Sequence, residues 1–410
     1  MKILHTSDWH IGRALYGRKR YEEFELFLDW LTTCIQSEQI EALLVAGDVF
    51  DNGTPSNRAL ELYYRFLCRA AGAGCRQVVV TAGNHDSPSL LNAPRELLRH
   101  LDVHVVGCMT ETVEDELVVV KQEDGQPGLI VCAVPYLRDR DIRRAEAGET
   151  FEDKGRKLVE GIADHYCRVA DAAAALNARL GGNIPIVAMG HLFTSGGTTL
   201  EGDGVRELYV GNLGQVTSDL LPDSFRYLAL GHLHVAQRVN GSSTRRYCGS
   251  PLPMSFGEAN QRKLVLAVEL DAAGLRVDEL PVPCFQQLAT LRGDWDHISR
   301  RIQELKRESA AIWLEVVYEG GEIVGDLQER LRELVEGTSL EILRTRNMRL
   351  VDQALSAMAT EETLDDLSVD DVFARCLDAH GVPDEQRPDL AALFAETMAA
   401  LHEDDSRGAP

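Results

Sequence analysis

The sequence predicts a layered α/β protein of more than one domain. Short apolar runs alternate with helix-spaced segments over about the first 270 residues. Five of those runs end in Asp, Asn or His, as a sheet with a site at its strand ends requires. The 410 residues also exceed what a single hydrophobic core usually organises.

The runs Lys2–Thr6, Ala42–Ala46, Val78–Thr81, Ile184–Met189 and Tyr227–Leu230 are short and rich in Val, Leu, Ile or Ala, the pattern of buried strands. Leu129–Val134 and Leu264–Leu270 are read as further strands. Tyr21–Ser37 and Asn57–Ala71 place apolar residues at helical spacing, as in Phe24, Phe27, Leu28 and Leu31. Phe151–Leu180 is a long Ala-rich helix stopped by Gly181-Gly182.

Leu280-Pro281-Val282-Pro283 is read as a turn that closes a first domain over 1–280. A compact α/β module over 284–350 follows. Its strands are Phe285–Arg292, Ile312–Tyr318 and Leu340–Arg346, and its helices are Asp294–Glu308 and Asp326–Glu336. After a polar joint at Ala357–Thr363, residues 363–402 carry two amphipathic segments, Ser368–Ala379 and Pro388–His402. The first opens on a Ser-x-x-Asp cap and stops before Gly381 and Pro383.

Composition bounds the function classes. No apolar run reaches the length of a bilayer span, and Asp8 arrives before a signal-type stretch can develop. Nine scattered cysteines without a Cys-x-x-Cys pair predict a reduced, cytoplasmic chain and exclude a thiolate zinc framework. The net charge of −23 argues at first against a nucleic-acid partner. However, residues 351–410 hold 15 Asp and Glu against three Arg and no Lys, and cations bound to the body of the chain would offset more of the excess.

The strand ends supply Asp8-Trp9-His10, Gly47-Asp48-Val49-Phe50-Asp51, Gly83-Asn84-His85-Asp86, Gly190-His191 and Gly231-His232-Leu233-His234. Each alone has an ordinary explanation, since Asp caps turns and a single His after Gly is usually a turn residue. The strongest pieces are Asn84-His85-Asp86 and the His-x-His pair, whose alternate residues share one face of an extended segment. All five in order, each after a strand, predict a metal site. Carboxylate, imidazole and carboxamide without thiolate suit manganese, iron or zinc at higher coordination number. One carboxylate shared by two cations gives the roughly 3.5–4 Å spacing of two-metal phosphoryl chemistry.

In this order the motifs resemble the calcineurin-like metallophosphoesterase superfamily. His5-Thr6-Ser7-Asp8-Trp9-His10-Ile11-Gly12 and Gly249-Ser250-Pro251 are similar, more narrowly, to nuclease subunits of bacterial complexes built on a coiled-coil ATPase. The resemblance covers nearly the whole chain. It implies a four-layer sandwich of two sheets flanked by helices, an appended α/β capping module that binds DNA, and a C-terminal helix pair that grips the ATPase. It also implies two divalent ions, manganese by family habit. Asp8, His10, Asp48 and His234 would hold one; Asp48 would bridge to the second, completed by Asn84, His191 and His232. His85 would stand beside the scissile phosphate without holding metal. Asp51 is read as the group that orients His85, because a catalytic base is usually held by a third group, with a turn cap as its alternative role. The implied activity is exonuclease and hairpin endonuclease cleavage of DNA in replication, recombination and repair.

Arg13, Arg18, Lys19 and Arg20 follow the first motif and are read either as DNA-phosphate contacts or as a solvated charged face. A homodimer is expected, with Asn57–Ala71 pairing across a two-fold axis. The competing functions are a phosphatase or small-molecule phosphodiesterase with the same site, and a scaffold with a structural metal. The first needs neither the module nor the arm, and the second has no use for His85.

Overall fold

The computed structural model describes residues 1–143, 149–194, 216–217, 220–271, 274–308, 311–320 and 327–347, with 373, 377, 387–388, 390 and 394. The chain divides into two compact units, Met1–Ala289 with Ala311–Trp313, and Thr290–Ala310 with Leu314–Pro410.

In the first unit, β1 (Lys2–Thr6) runs into a small hairpin of β2 (Ala14–Leu15) and β3 (Arg18–Lys19). Then come α1 (Tyr21–Ser37), β4 (Ala42–Ala46), α2 (Asn57–Gly72), β5 (Gln77–Thr81), α3 (Pro88–Asn92), α4 (Arg95–Arg99) and β6 (Val103–Val106). The next stretch holds β7 (Leu117–Lys121), β8 (Pro127–Ala133), α5 (Asp139–Ile142), α6 (Phe151–Arg179), β9 (Ile186–His191), β10 (Tyr227–Gly231), β11 (Gln237–Arg238) and β12 (Arg245–Tyr247). Finally β13 (Leu264–Asp271) and β14 (Gly274–Pro281) return to β1. The two six-stranded sheets are ordered β14-β13-β1-β4-β5-β6 and β11-β12-β10-β9-β8-β7. Strands β1, β4, β5 and β6 are mutually parallel, as are β8, β9, β10 and β12.

Both sheets are apolar on both faces, which is why their central strands show no polar alternation. Ile3, Leu44 and Val79 of the first sheet meet Val131, Val187, Tyr227 and Ala229 of the second. On the other face of the first sheet, Leu43 and Val45 pack under Phe24, Phe27 and Leu31 of α1 and Tyr63 and Phe66 of α2. On the outer face of the second, Ile130, Ala188 and Leu228 pack under Leu158, Ile162, Tyr166 and Val169 of α6. Each fully buried Phe or Leu contributes about 1.5–3 kcal/mol relative to exposure. Helix entry is fixed locally: the Ser56 hydroxyl accepts from Ala59 N–H at 3.2 Å, and Thr150 and Asp153 form a reciprocal capping box on α6.

The elements after β14 are β15 (Gln287–Gly293), α7 (Trp295–Glu308), β16 (Ile312–Tyr318), α8 (Leu327–Val335) and β17 (Leu340–Asn347), with a three-stranded sheet ordered β15-β16-β17. Ile298 and Ile302 of α7 are fully buried.

Three readings of the sequence need correction. Leu280 and Pro281 are not a turn but the end of β14, an edge strand paired antiparallel to β13. Its mostly half-exposed residues hide the apolar signal, and an edge position tolerates proline. Strands β6, β7, β11 and β12 escape the reading because they are short or lie at or near sheet edges, where packing demands less of each residue. Finally, Arg20 is not a DNA contact. It is 2% exposed, its guanidinium forks onto Glu23 at 2.8 and 2.9 Å, and it donates to the Pro253 carbonyl at 2.6 Å.

The joint at 357–363 lies outside the described residues, and so does the rest of 363–402, apart from six positions. Phe373, Leu377, Arg387, Pro388, Leu390 and Phe394 are helical, and the Phe373 and Phe394 rings stack with centroids 4.0 Å apart. Among the described residues no helix is long and apolar enough to cross a membrane.

Candidate metal centre

The carboxyl ends of β1, β4, β5, β9 and β10 converge, and the residues that follow them fill one buried pocket. Two loops are zipped together first: Asp8 N–H donates to Gly47 O at 3.0 Å, His10 N–H to Asp48 O at 3.0 Å, and Ile11 N–H to Val49 O at 2.9 Å. Asp8, His10, Asp48 and His232 all have positive φ, at 53°, 48°, 50° and 102°. Four non-glycine residues in that region mark a site where backbone strain is held by surrounding structure. Gly47 has φ 83°, and a Cβ there would strike the His191 ring.

The structure brings all nine sequence-predicted positions into this pocket. Asp48 is at its centre. Its Oδ2 lies 3.2 Å from His191 Nε2 and 3.7 Å from His10 Nε2, while its Oδ1 accepts from His85 N–H at 2.9 Å. Asn84, half-buried, presents Oδ1 to His191 Nε2 at 3.0 Å. The Asp8 carboxylate accepts from His232 N–H at 2.9 Å, and the His191 and His232 rings have centroids 5.4 Å apart. The Nε2 atoms of His10 and His234 are 3.1 Å apart. His85 stands edge-on to His10, with centroids 4.8 Å apart.

The outer nitrogens fix the tautomers. His191 Nδ1 faces the Ala46 carbonyl at 3.0 Å and His85 Nδ1 the Asp51 carbonyl at 2.7 Å, so both carry the proton on Nδ1. Asp51 therefore touches His85 through its main chain. Its carboxylate instead pairs with Arg13 at 3.2 Å and lies 3.7 Å from His10 Nδ1. With Nδ1 committed, a neutral His191 ring would turn its Nε2 lone pair toward two acceptors, Asn84 Oδ1 and Asp48 Oδ2. Three lone-pair atoms converging in a buried site without a donor fit a bound cation.

In the ion-free chain a proton on His191 takes the place of that cation. Burial alone would lower His191, but the Asp48 and Asp8 carboxylates outweigh it and hold it at about 9. Burial would likewise raise Asp48, yet the surrounding imidazoles, His191 first, pull it well below the usual carboxylate range. Asp8 is raised, chiefly by burial. Burial also drives His10 and His232 well down, so both are neutral with free lone pairs near pH 7, the state a metal ligand needs. Clusters able to grip an ion are Asp8, His10 and His234; Asp8, Asp48 and His191; and His10, Asp51 and His85.

The sequence reading gives no role to two supporting residues. The Asp86 carboxylate accepts from Val49, Phe50 and Gly83 N–H at 3.1, 2.9 and 2.9 Å, tying the loop after β4 to the loop after β5. Its place directly after His85 was the available signal. Glu258, fully buried, meets His234 Nδ1 at 3.3 Å. It lies 24 residues along the chain from His234, and nothing in its local pattern distinguishes it.

The calcineurin-like phosphoesterase family profile matches residues 1–236, and the profile described as the type 5 capsule protein repressor C-terminal domain matches 284–381. The chain is 37% identical over 407 residues to SbcD of the nuclease SbcCD from Escherichia coli (strain K12), covering 98% of both. It is 37% identical over 290 residues to the protein of that name from Rhodobacter capsulatus, covering 69% of each. The Bacillus subtilis protein of that name is 35% identical over 271 residues, covering 66% of each. A pocket of carboxylates and imidazoles at the ends of parallel strands, on a chain alike from end to end, has one consistent assignment: the chain belongs to the calcineurin-like phosphoesterases and, among them, to the family of the SbcD nucleases.

Proposed function

We propose that this metal-dependent nuclease subunit is a two-metal phosphodiesterase that cleaves DNA as an exonuclease and as a single-strand and hairpin endonuclease. The observation that carries the proposal is Asp48 Oδ2, set between His191 Nε2 at 3.2 Å and His10 Nε2 at 3.7 Å. One carboxylate oxygen so placed serves two cations. Asp8, His10, Asp48 and His234 would hold the first, and Asp48, Asn84, His191 and His232 the second.

When bound, such a pair polarises the phosphodiester and lowers the pKa of the attacking water. The protein residues then position and move protons. His85, anchored through Nδ1 by the Asp51 carbonyl, is left with Nε2 to exchange a proton with the leaving oxygen. Asp86 keeps the Asp48 and His85 loops at fixed separation.

Manganese is the proposed ion. The helix-sheet-sheet-helix packing of residues 1–280 supports a four-layer sandwich, and residues 284–350 would act as a DNA-binding capping module. The names of the relatives support a partnership with an SbcC-type coiled-coil ATPase, working on DNA ends in replication, recombination and repair. The C-terminal helices over 363–402 would carry that contact in a heterotetramer built on a homodimer of this chain, in the cytoplasm.

The test is cleavage of end-labelled single-stranded DNA by the purified chain in manganese, alongside Asp48→Asn. Dependence on manganese and a loss of at least about 10³-fold in the variant are expected, since both cations lose their shared ligand. Undiminished cleavage by Asp48→Asn would sink the proposal, and so would turnover of a simple phosphomonoester far exceeding that of DNA.

A further inference from the structure

We infer that Glu258, held by Lys263, is a positioning residue that sets the tautomer and aim of His234 toward the proposed first cation. The inference rests on the two-cation reading above and adds to it a residue outside the five motifs.

Glu258 lies in the turn Phe256–Glu258, after the second sheet has been completed, and its side chain returns beneath His234. Both residues are buried, Glu258 completely. Its Oε1 faces His234 Nδ1 at 3.3 Å. Its Oε2 accepts from Met254 N–H at 3.1 Å and from the Lys263 ammonium. Lys263 also donates to the His234 main-chain carbonyl at 3.2 Å and to Ser250 Oγ at 2.9 Å. One buried ammonium thus clamps the backbone of His234 and the carboxylate that holds its ring.

A buried carboxylate is costly unless paired. Here Lys263, a main-chain N–H and the Ser250 hydroxyl compensate one oxygen, leaving the other to accept from the imidazole. The proton on Nδ1 leaves Nε2 as a lone pair, and that Nε2 is the atom 3.1 Å from His10 Nε2. A carboxylate behind a ligating imidazole fixes ring orientation and raises its basicity. His191 gains the same tautomer from a neutral carbonyl, Ala46 O. The two cation sites therefore differ in the charge standing behind a histidine, and the first depends on a carboxylate that the second does not use.

The test is calorimetric titration of the full chain with Mn2+, on the parent, Glu258→Gln and Ser250→Ala, with the metal-free melting temperature of each recorded. Two binding events are expected in the parent. Glu258→Gln should weaken one about 10–100-fold and leave the other within about threefold. Ser250→Ala, a milder change that removes a hydroxyl shared by Lys263 and Glu258 Oε2, should weaken the same event by a smaller factor. Parent-like affinity in both variants overturns the inference while sparing the two-cation reading; so does an equal loss at both events. Absence of any binding event in the parent overturns the reading and the inference together. If Glu258→Gln does not fold, Ser250→Ala decides alone: selective weakening of one event supports the inference, and parent-like binding overturns it.

Discussion

The Nδ1 of His85 donates to the main-chain carbonyl of Asp51 at 2.7 Å, bypassing the Asp51 side chain. A main-chain acceptor cannot be removed by changing the side chain, so His85 and Asp51 separate cleanly by mutation. His85→Ala is expected to lower kcat by about 10²–10⁴-fold, the usual worth of a positioned proton carrier, with manganese stoichiometry unchanged. Asp51→Asn keeps the carbonyl and should cost no more than a few-fold. Steady-state cleavage of labelled DNA by the two variants tests this, and equal losses in both would show that the carboxylate orients the ring after all.

Gly231 stands where β10 meets the pocket. A Cβ there would collide with Ala46 O, lie 2.9 Å from His191 Nδ1 and press on Ser7 Cβ at 3.0 Å. Because Ala46 O is the acceptor that fixes His191, Gly231→Ala should tilt that imidazole as well as overpack the core. We expect a loss of about 1–3 kcal/mol in urea denaturation together with weakened manganese binding. Binding and stability both unchanged would contradict the packing described.

Asp86 is raised to about 7 by burial and by Asp48, even though three N–H groups favour its anion. Asn at this position retains one acceptor oxygen and faces backbone N–H groups with an NH2. Asp86→Asn is expected to destabilise the metal-free chain by about 1–3 kcal/mol, the cost of leaving buried donors unmade. Thermal melting checks it, and a variant as stable as the parent would rule out the bracing role.

His5 links the two sheets, its Nδ1 2.9 Å from the Tyr227 hydroxyl. Burial pushes its imidazole down from 6.5 to about 3. The folded chain therefore keeps His5 neutral where the unfolded chain takes up a proton. Its contribution is fully present above pH 6.5 and is lost as pH falls from 6.5 toward 3, at up to about 1.4 kcal/mol per pH unit. Urea midpoints at pH 7 and pH 5 should draw closer together in His5→Gln than in the parent; parallel pH dependence would refute the assignment.

The order of Asp8, His10, Asp48, Asn84, His85, His191, His232 and His234 along the chain, and the buried strands before them, were legible because both are local. A strand with two buried faces needs a continuous apolar run, and a ligand at its end needs a particular residue type. Strands β1 and β4 match their expected bounds for that reason. Edge strand β14 was hidden, since half-exposed residues need no apolar pattern. Tertiary structure alone decided which atoms meet. The Asp51 carbonyl rather than its carboxylate holds His85, Arg20 is spent on Glu23 inside the protein, and Glu258 reaches His234 from a separate turn. Such choices depend on distances between residues remote in sequence, set by how two sheets and their loops pack, and no local pattern encodes them.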